Sequence, residues 1–95
     1  MLLCIDIGNS NIKIGLFEGE QMRAFWRIST DYEKLADEYA VLILNLFDTG
    51  GLQKKEITGF AISSVVPSLT EVFTGLAEHY FGVSPFVLTA EVVTG

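Results

Sequence analysis

The residues best suited to ligand binding or catalysis lie together near the start of the chain, in the stretch LLCIDIGNSNIKIGLF, which begins at position 2. Asp6 occupies an apolar run typical of a buried strand, and Gly8, Asn9, Ser10 and Asn11 follow it closely. A buried carboxylate is unfavourable unless a cation or several hydrogen-bond donors meet it. We therefore expect Asp6 to have a partner, which either the polypeptide or a ligand supplies.

The turn after Asp6 has the composition of a phosphate-binding loop. Gly8 allows the backbone to approach a ligand, and the N–H groups and the Asn and Ser side chains of the turn would face the same space as the carboxylate. Asp6 would hold Mg²⁺ directly or through water, and Lys13 would reach the same phosphates. The alternative is an ordinary turn in which Asp6 caps its own backbone amides. The position of Asp6 at the end of an N-terminal strand favours the phosphate site.

Other residues are weaker candidates for a site. His79 falls late in a predicted helix, where a cation suits the helix dipole, and we interpret it as a surface or packing residue. Ser63 and Ser64 end a predicted strand before a helix, so helix entry explains them better than a ligand does. Phe25 and Trp26 are expected in the core. The sequence contains no Gly-x-Gly-x-x-Gly and no Gly-Lys-Ser/Thr, which argues against Rossmann and P-loop nucleotide sites.

The composition predicts one domain, residues 1–95, because 49% of the residues are hydrophobic and a chain of this length has room for a single core. The net charge is −6 and the six Lys and Arg residues are scattered, so we expect no nucleic-acid partner and no anionic membrane surface. A mean hydropathy of +0.42 is high for so short a chain. It predicts an apolar surface that meets another domain or a second copy.

Cysteine usage and hydropathy also restrict the location of the chain. Cys4 is the only cysteine, which excludes an internal disulfide and a cysteine-built metal site, and it is expected to be a small buried hydrophobe. No apolar window is long enough to cross a bilayer. The cytoplasm is the expected compartment.

The first third of the chain predicts three strands in an antiparallel meander. Residues 2–7 form the first, and alternating apolar side chains define the other two, namely Ile12, Ile14 and Leu16, then Met22, Ala24, Trp26 and Ile28. Tight turns at Asn9-Ser10 and at Glu18-Gly19 would join them.

The apolar spacing then changes from two to about three and a half, which indicates helices. Thr30 and Glu33 have the spacing of a capping box, so the first helix is expected to begin there and to end before Gly50. A strand is predicted over residues 59–65.

A second helix is expected to open at Pro67 or Ser68 and to end at Gly82, with Glu71 completing a capping box on Ser68. Residues 86–88 form a last short strand. The order β-β-β-α-β-α-β predicts an α/β fold with a mixed five-stranded sheet and helices packed on it.

Three segments, CIDIGNSNIKIGLF, FAISSVVPSLTEVF and PFVLTAEVVTG, resemble the type III pantothenate kinases of the acetate and sugar kinase, heat-shock protein and actin superfamily. The resemblance covers nearly the whole chain and implies a ribonuclease H-like, actin-like ATPase half-domain. Ser10 stands where Thr is frequent in that family, and this exchange keeps the hydroxyl. The ATP-phosphate residues that the resemblance implies are Asp6, Ile7, Gly8, Asn9, Ser10, Asn11, Ile12 and Lys13.

The resemblance also implies an activity, the ATP-dependent phosphorylation of pantothenate to 4′-phosphopantothenate at the start of coenzyme A synthesis. It implies a homodimer that needs Mg²⁺ and a monovalent cation, K⁺ or NH₄⁺. The catalytic base of the family lies in a Gly-x-Asp-Arg segment that we expect beyond Gly95, so no catalytic residue is expected in this chain and the chain alone should be inactive. A non-catalytic binding or regulatory module, or a superfamily kinase acting on a sugar or carboxylate, remain alternatives.

Overall fold

The computed structural model describes residues 1–89, which form five strands, two α-helices and one short 3₁₀ helix. The elements are β1 (Leu2–Ile7), β2 (Asn11–Glu18), β3 (Gln21–Ser29), α1 (Ala36–Thr49), the 3₁₀ helix (Lys54–Glu56), β4 (Gly59–Ser64), α2 (Pro67–Tyr80) and β5 (Phe86–Thr89). The predicted order of strands and helices is confirmed.

The five strands form one mixed sheet in the order β3-β2-β1-β4-β5, so β1 lies at the centre. β1 pairs antiparallel with β2, and β2 pairs antiparallel with β3, as expected for strands joined by tight turns. β1 pairs parallel with β4, and β4 pairs parallel with β5, because helices connect these strands. The carboxyl ends of β1, β4 and β5 consequently meet at one edge of the sheet.

Both helices cover the same face of the sheet and enclose one core. Alternate residues of β1, Leu3, Ile5 and Ile7, are buried and join Tyr39 of α1 and Phe73 of α2 in a single apolar cluster. The rings of Tyr39 and Phe73 lie 4.8 Å apart at an interplanar angle of 45°. This packing couples the two helices to the central strand.

The start of α1 differs from the prediction. The helix begins at Ala36 and not near Thr30, and its N-cap residue is Leu35, whose N–H donates to the Glu38 carboxylate at 2.8 Å. The Thr30 N–H instead extends the strand pairing by donating to the carbonyl of Ser10 at 3.0 Å. The capping-box interpretation of Thr30 and Glu33 was wrong because Thr30 has a tertiary partner.

Two smaller corrections concern α2 and the β2–β3 turn. α2 begins at Pro67 as predicted, but Val66 is the N-cap residue, so Ser68 and Glu71 form no capping box. The turn between β2 and β3 contains Gly19 and Glu20, not Glu18 and Gly19. A φ of 61° at this glycine, in the left-handed region, explains the residue choice.

The second face of the sheet carries no helix within residues 1–89 and is called the open face below. Phe25, expected in the core, is 48% exposed on this face, and Phe86 and Leu88 at the opposite edge are 70% and 43% exposed. Trp26, one residue along, points to the helices and lies 5.7 Å from Phe47. The high apolar content of the sequence is therefore partly explained by an uncovered apolar face.

Candidate phosphate-binding site

The β1–β2 turn is closed by one hydrogen bond, from the Gly8 N–H to the Asn11 carbonyl at 2.9 Å. Asn9 and Ser10 form the exposed corner, as the sequence predicted. A Cβ atom at position 8 would lie 3.0 Å from the Asn11 carbonyl oxygen. Gly8 thus suits the close approach of the two backbone segments, because a side chain here would press on the Asn11 carbonyl.

The segment that follows β3, residues 30–32, holds the other side of this turn. The Thr30 hydroxyl donates to the Gly8 carbonyl at 2.8 Å, and the Tyr32 hydroxyl donates to the Asn9 carbonyl at 2.8 Å. Together with the bond from the Thr30 N–H to the Ser10 carbonyl, three successive carbonyls of the turn are occupied by one segment. Sequence reasoning missed this contact, because only the strand register brings these residues together.

The orientation of the turn peptides follows from these bonds. Every peptide bond in residues 1–89 is trans, so the N–H of each residue points opposite to the preceding carbonyl. The Gly8 and Asn9 carbonyls point to segment 30–32, and the N–H groups of Asn9 and Ser10 must therefore point away from it. Within the described part of the chain neither N–H group donates a hydrogen bond. Two donors at an exposed corner suit an anion.

A short row of charged residues crosses the open face beside the turn. Asp6 pairs in register with Lys13 of β2, which pairs with Arg27 of β3, and all three side chains are exposed. The expectation that Asp6 is buried was wrong, because only Leu3, Ile5 and Ile7 of β1 face the core.

Neither cation of this row forms an ion pair within residues 1–89, where the ion pairs join Arg23 to Glu18 and Lys34 to Asp31. Sequence reasoning identified Lys13 but missed Arg27, because the register of β3 is needed to place it. The row places one carboxylate and two cations on the open face, near the end of β1 and β2 at which the turn lies.

This arrangement fits a magnesium–nucleotide phosphate but not a protein-built metal cage. No group of three or more His, Cys, Asp or Glu side chains is placed to hold a metal in residues 1–89. Mg²⁺ is usually bound by one or two carboxylates together with phosphate oxygens and water. Asp6 could provide that one carboxylate, and the turn N–H groups and Lys13 could meet the phosphates.

The serines at the end of β4 have different surroundings. The Ser64 hydroxyl is buried, accepts the Val66 N–H at 3.0 Å and donates to the Val66 carbonyl at 3.1 Å. This local turn leads into α2 and confirms helix entry as the role of Ser64. Ser63 pairs in register with Asp6 on the open face, so it borders the site. His79 is exposed, with its ring 4.9 Å from that of Tyr80.

Three groups near the site have shifted pKa values. The hydrogen bond from the Glu33 N–H to the carboxylate is the main cause of the lowered pKa of Asp31 in segment 30–32, and the nearby Lys34 lowers this pKa further. Burial raises the pKa of Tyr39, whose hydroxyl bonds both backbone groups of Asp31. Burial also raises the pKa of Cys4, which is only partly buried and lies on the open face.

Comparison with solved structures shows the fold. The ROK hexokinase of Thermus thermophilus matches 93% of this chain and 34% of its own, with a TM-score of 0.68 and 14% identity. A Bacteroides thetaiotaomicron protein of unknown function with an actin-like ATPase fold matches 96% of this chain and 32% of its own, with a TM-score of 0.58 and 9% identity. The predicted actin-like ATPase architecture is confirmed. None of the helices within residues 1–89 is long and apolar enough to span a membrane.

Comparison of sequences identifies the family. The family model for type III pantothenate kinase matches residues 2–95. A type III pantothenate kinase of Roseiflexus castenholzii is 54% identical over all 95 residues, and one of Geotalea daltonii is 45% identical over the same length. The chain spans 37% of the length of each of these relatives. The chain belongs to the type III pantothenate kinase family.

Proposed function

We propose that this chain is the ATP-phosphate-binding part of a pantothenate kinase, with the β1–β2 turn as the phosphate site. The single observation that carries the proposal is the pair of N–H groups at Asn9 and Ser10, which lack protein partners among residues 1–89 and belong to the turn that joins the strands of Asp6 and Lys13. Backbone N–H groups in such a turn bind phosphate oxygens without local Lys or Arg, and a nearby lysine adds charge.

Each residue of the proposed site has a distinct role. The N–H groups of the corner and the side chains of Asn9, Ser10 and Asn11 donate to phosphate oxygens. Lys13 neutralises charge on the same phosphates, and Asp6 holds Mg²⁺ directly or through water. The bound metal would offset negative charge on the phosphates. Ile7 and Ile12 are buried in the core on either side of the turn and fix its position.

Arg27 adds a second cation to the proposed site. It is the register partner of Lys13 on the open face, so an anion bound over that row would interact with both side chains. Arginine donates two parallel hydrogen bonds to a phosphate, whereas lysine acts as a point charge. We assign Arg27 to stabilising the outer part of the polyphosphate.

The remaining components of the reaction belong to the proposal as well. The relatives' name gives pantothenate as the substrate. We assign 4′-phosphopantothenate and ADP as the products. The chain covers 37% of those relatives, and we assign the catalytic base and the ligands of a monovalent cation, K⁺ or NH₄⁺, to the rest of their length. The chain alone then binds nucleotide without turnover. A cytoplasmic homodimer completes the proposal, with residues 1–95 as one domain of each subunit.

Nuclear magnetic resonance of the ¹⁵N-labelled chain during titration with Mg-ATP tests the proposal. The amides of Asn9 and Ser10 should shift most, and the shifts should decrease sharply when EDTA removes Mg²⁺. Shifts concentrated on α2 or on the 3₁₀ helix would refute the assignment of the site. Adenosine without phosphates provides the control, because the turn has no feature that would bind the nucleoside.

A further inference from the structure

We propose that Thr30 is a positioning residue for the phosphate site: its hydroxyl, aided by that of Tyr32, orients the turn peptides so that their N–H groups face the phosphates. This inference rests on the proposed function, because it explains how the same turn becomes a phosphate site. It concerns a segment that follows β3 and that contributes none of the residues assigned to bind the ligand.

The hydrogen bonding of Gly8 provides the first argument. In a two-residue hairpin the residues flanking the turn commonly exchange two backbone hydrogen bonds. Here the Gly8 N–H donates to the Asn11 carbonyl at 2.9 Å, but no return bond from the Asn11 N–H to the Gly8 carbonyl forms in the described chain. That carbonyl accepts from the Thr30 hydroxyl at 2.8 Å instead. The Gly8 peptide is therefore directed by a residue outside the hairpin.

The side of the sheet on which Thr30 lies provides the second argument. Thr30 follows Ile28 by two residues, and Ile28 packs against the core beneath the helices. The hydroxyl thus draws the Gly8 carbonyl towards the helix side of the sheet. Because the peptide is trans, the Asn9 N–H points towards the opposite side, where Asp6 and Lys13 lie. The bond from the Tyr32 hydroxyl to the Asn9 carbonyl likewise directs the Ser10 N–H away from segment 30–32.

The rigidity of segment 30–32 provides the third argument. Asp31, between the two donors, is bound through both backbone groups to the hydroxyl of Tyr39, which accepts from its N–H at 2.9 Å and donates to its carbonyl at 2.7 Å. Tyr39 is fully buried in α1. A positioning residue is effective only when its own support is fixed, and this chain of hydrogen bonds ties the turn to the core.

The experiment compares hydroxyl removal at Thr30 with hydroxyl removal elsewhere. Thr30→Val keeps the shape and loses the donor, whereas Thr30→Ser keeps the donor. Thr74→Val is the matched control, since the Thr74 hydroxyl is also part-buried and donates to a backbone carbonyl at 2.8 Å, but within α2. Binding of Mg²⁺–tripolyphosphate to the 95-residue chain is measured by calorimetry, and the melting temperature of each variant is measured in parallel.

The expected result separates positioning from general stability. Thr30→Val should weaken tripolyphosphate binding by about 10-fold, because the turn loses the one hydrogen bond that orients the Gly8 peptide. Thr30→Ser should restore most of the affinity, and Thr74→Val should keep it even if its melting temperature falls equally. If Thr30→Val does not fold, Tyr32→Phe tests the same effect. The hydrogen bond of the Tyr32 hydroxyl is exposed, so its loss should leave the domain folded.

The outcomes distinguish this inference from the proposed function. If the wild type binds tripolyphosphate and neither Thr30→Val nor Tyr32→Phe weakens it, the positioning role is refuted and the phosphate site stands. Equal losses in Thr30→Val and Thr74→Val would also refute the positioning role. A wild-type chain that is folded and does not bind tripolyphosphate would refute the proposed phosphate site, and the positioning role with it.

Discussion

Replacing Tyr39 by Phe should destabilise the domain because two hydrogen bonds are lost, while the packing of the ring is kept. The phenol oxygen bonds both the N–H and the carbonyl of Asp31, at 2.9 and 2.7 Å. A phenylalanine ring would keep the contact with Phe73, whose centroid lies 4.8 Å away. Each lost hydrogen bond costs about 1 kcal/mol net, so the free energy of unfolding should fall by about 2 kcal/mol. For a domain of this size the melting temperature should drop by about 8–16 °C.

Urea and thermal unfolding followed by circular dichroism measure both quantities. Tyr80→Phe is the matched control, because the Tyr80 hydroxyl also bonds an aspartate, Asp37, but at an exposed position. The control should change the free energy of unfolding by less than about 0.5 kcal/mol. A Tyr39→Phe domain as stable as the control would show that Tyr39 does not hold segment 30–32, and the argument for a rigid support of the turn would fail.

Three other predictions concern the turn, pH and the open face. Gly8→Ala should weaken Mg-ATP binding in calorimetry, because the new Cβ would lie 3.0 Å from the Asn11 carbonyl and displace the turn; unchanged affinity would contradict this. The lowered pKa of Asp31 means that its charge stabilises the fold above its unfolded pKa of about 4. The stability advantage of the wild type over Asp31→Asn should therefore shrink as pH falls below about 4, and an advantage constant from pH 6 to pH 3 would contradict it. Phe86 is 70% exposed, so the chain should self-associate in sedimentation at high concentration and Phe86→Glu should reduce this; a monomeric wild type would contradict it.

The strand and helix order was predictable because each element follows a simple pattern. Alternation at Ile12, Ile14 and Leu16 predicted β2, and all three side chains are buried. The change of apolar spacing to about three and a half predicted the two helices, which bury Tyr39 and Phe73. These patterns depend on local periodicity, which the sequence shows directly.

The two main incorrect predictions, at Thr30 and Asp6, concern structure that depends on residues distant in the chain. Thr30 has the local spacing of a helix cap, but its hydroxyl bonds Gly8, which is 22 residues away. The run around Asp6 is apolar enough for a strand buried on both faces, yet the open face leaves the carboxylate exposed. A single strand pattern does not indicate how many of its faces are covered.

The same limit applies to the site. The turn itself was predictable from its Gly, Asn and Ser residues, and its role with Lys13 as a phosphate site stays a prediction. Arg27 and segment 30–32 were not predictable, since their places depend on the register of β2 with β3. That register includes an irregularity between Leu16 and Phe17, which counting along the sequence does not reveal.

Calorimetry with Mg-ATP on the wild type and on Asp6→Asn tests the central claim most directly. Asp48→Asn is the control. Asp48 is exposed near the C-terminal end of α1, and the other end of this helix is the one nearer the phosphate site. We predict weak Mg-dependent binding to the wild type and to Asp48→Asn, and its loss in Asp6→Asn. Equal binding to all three proteins would contradict the claim that the Asp6 carboxylate serves a metal–nucleotide ligand.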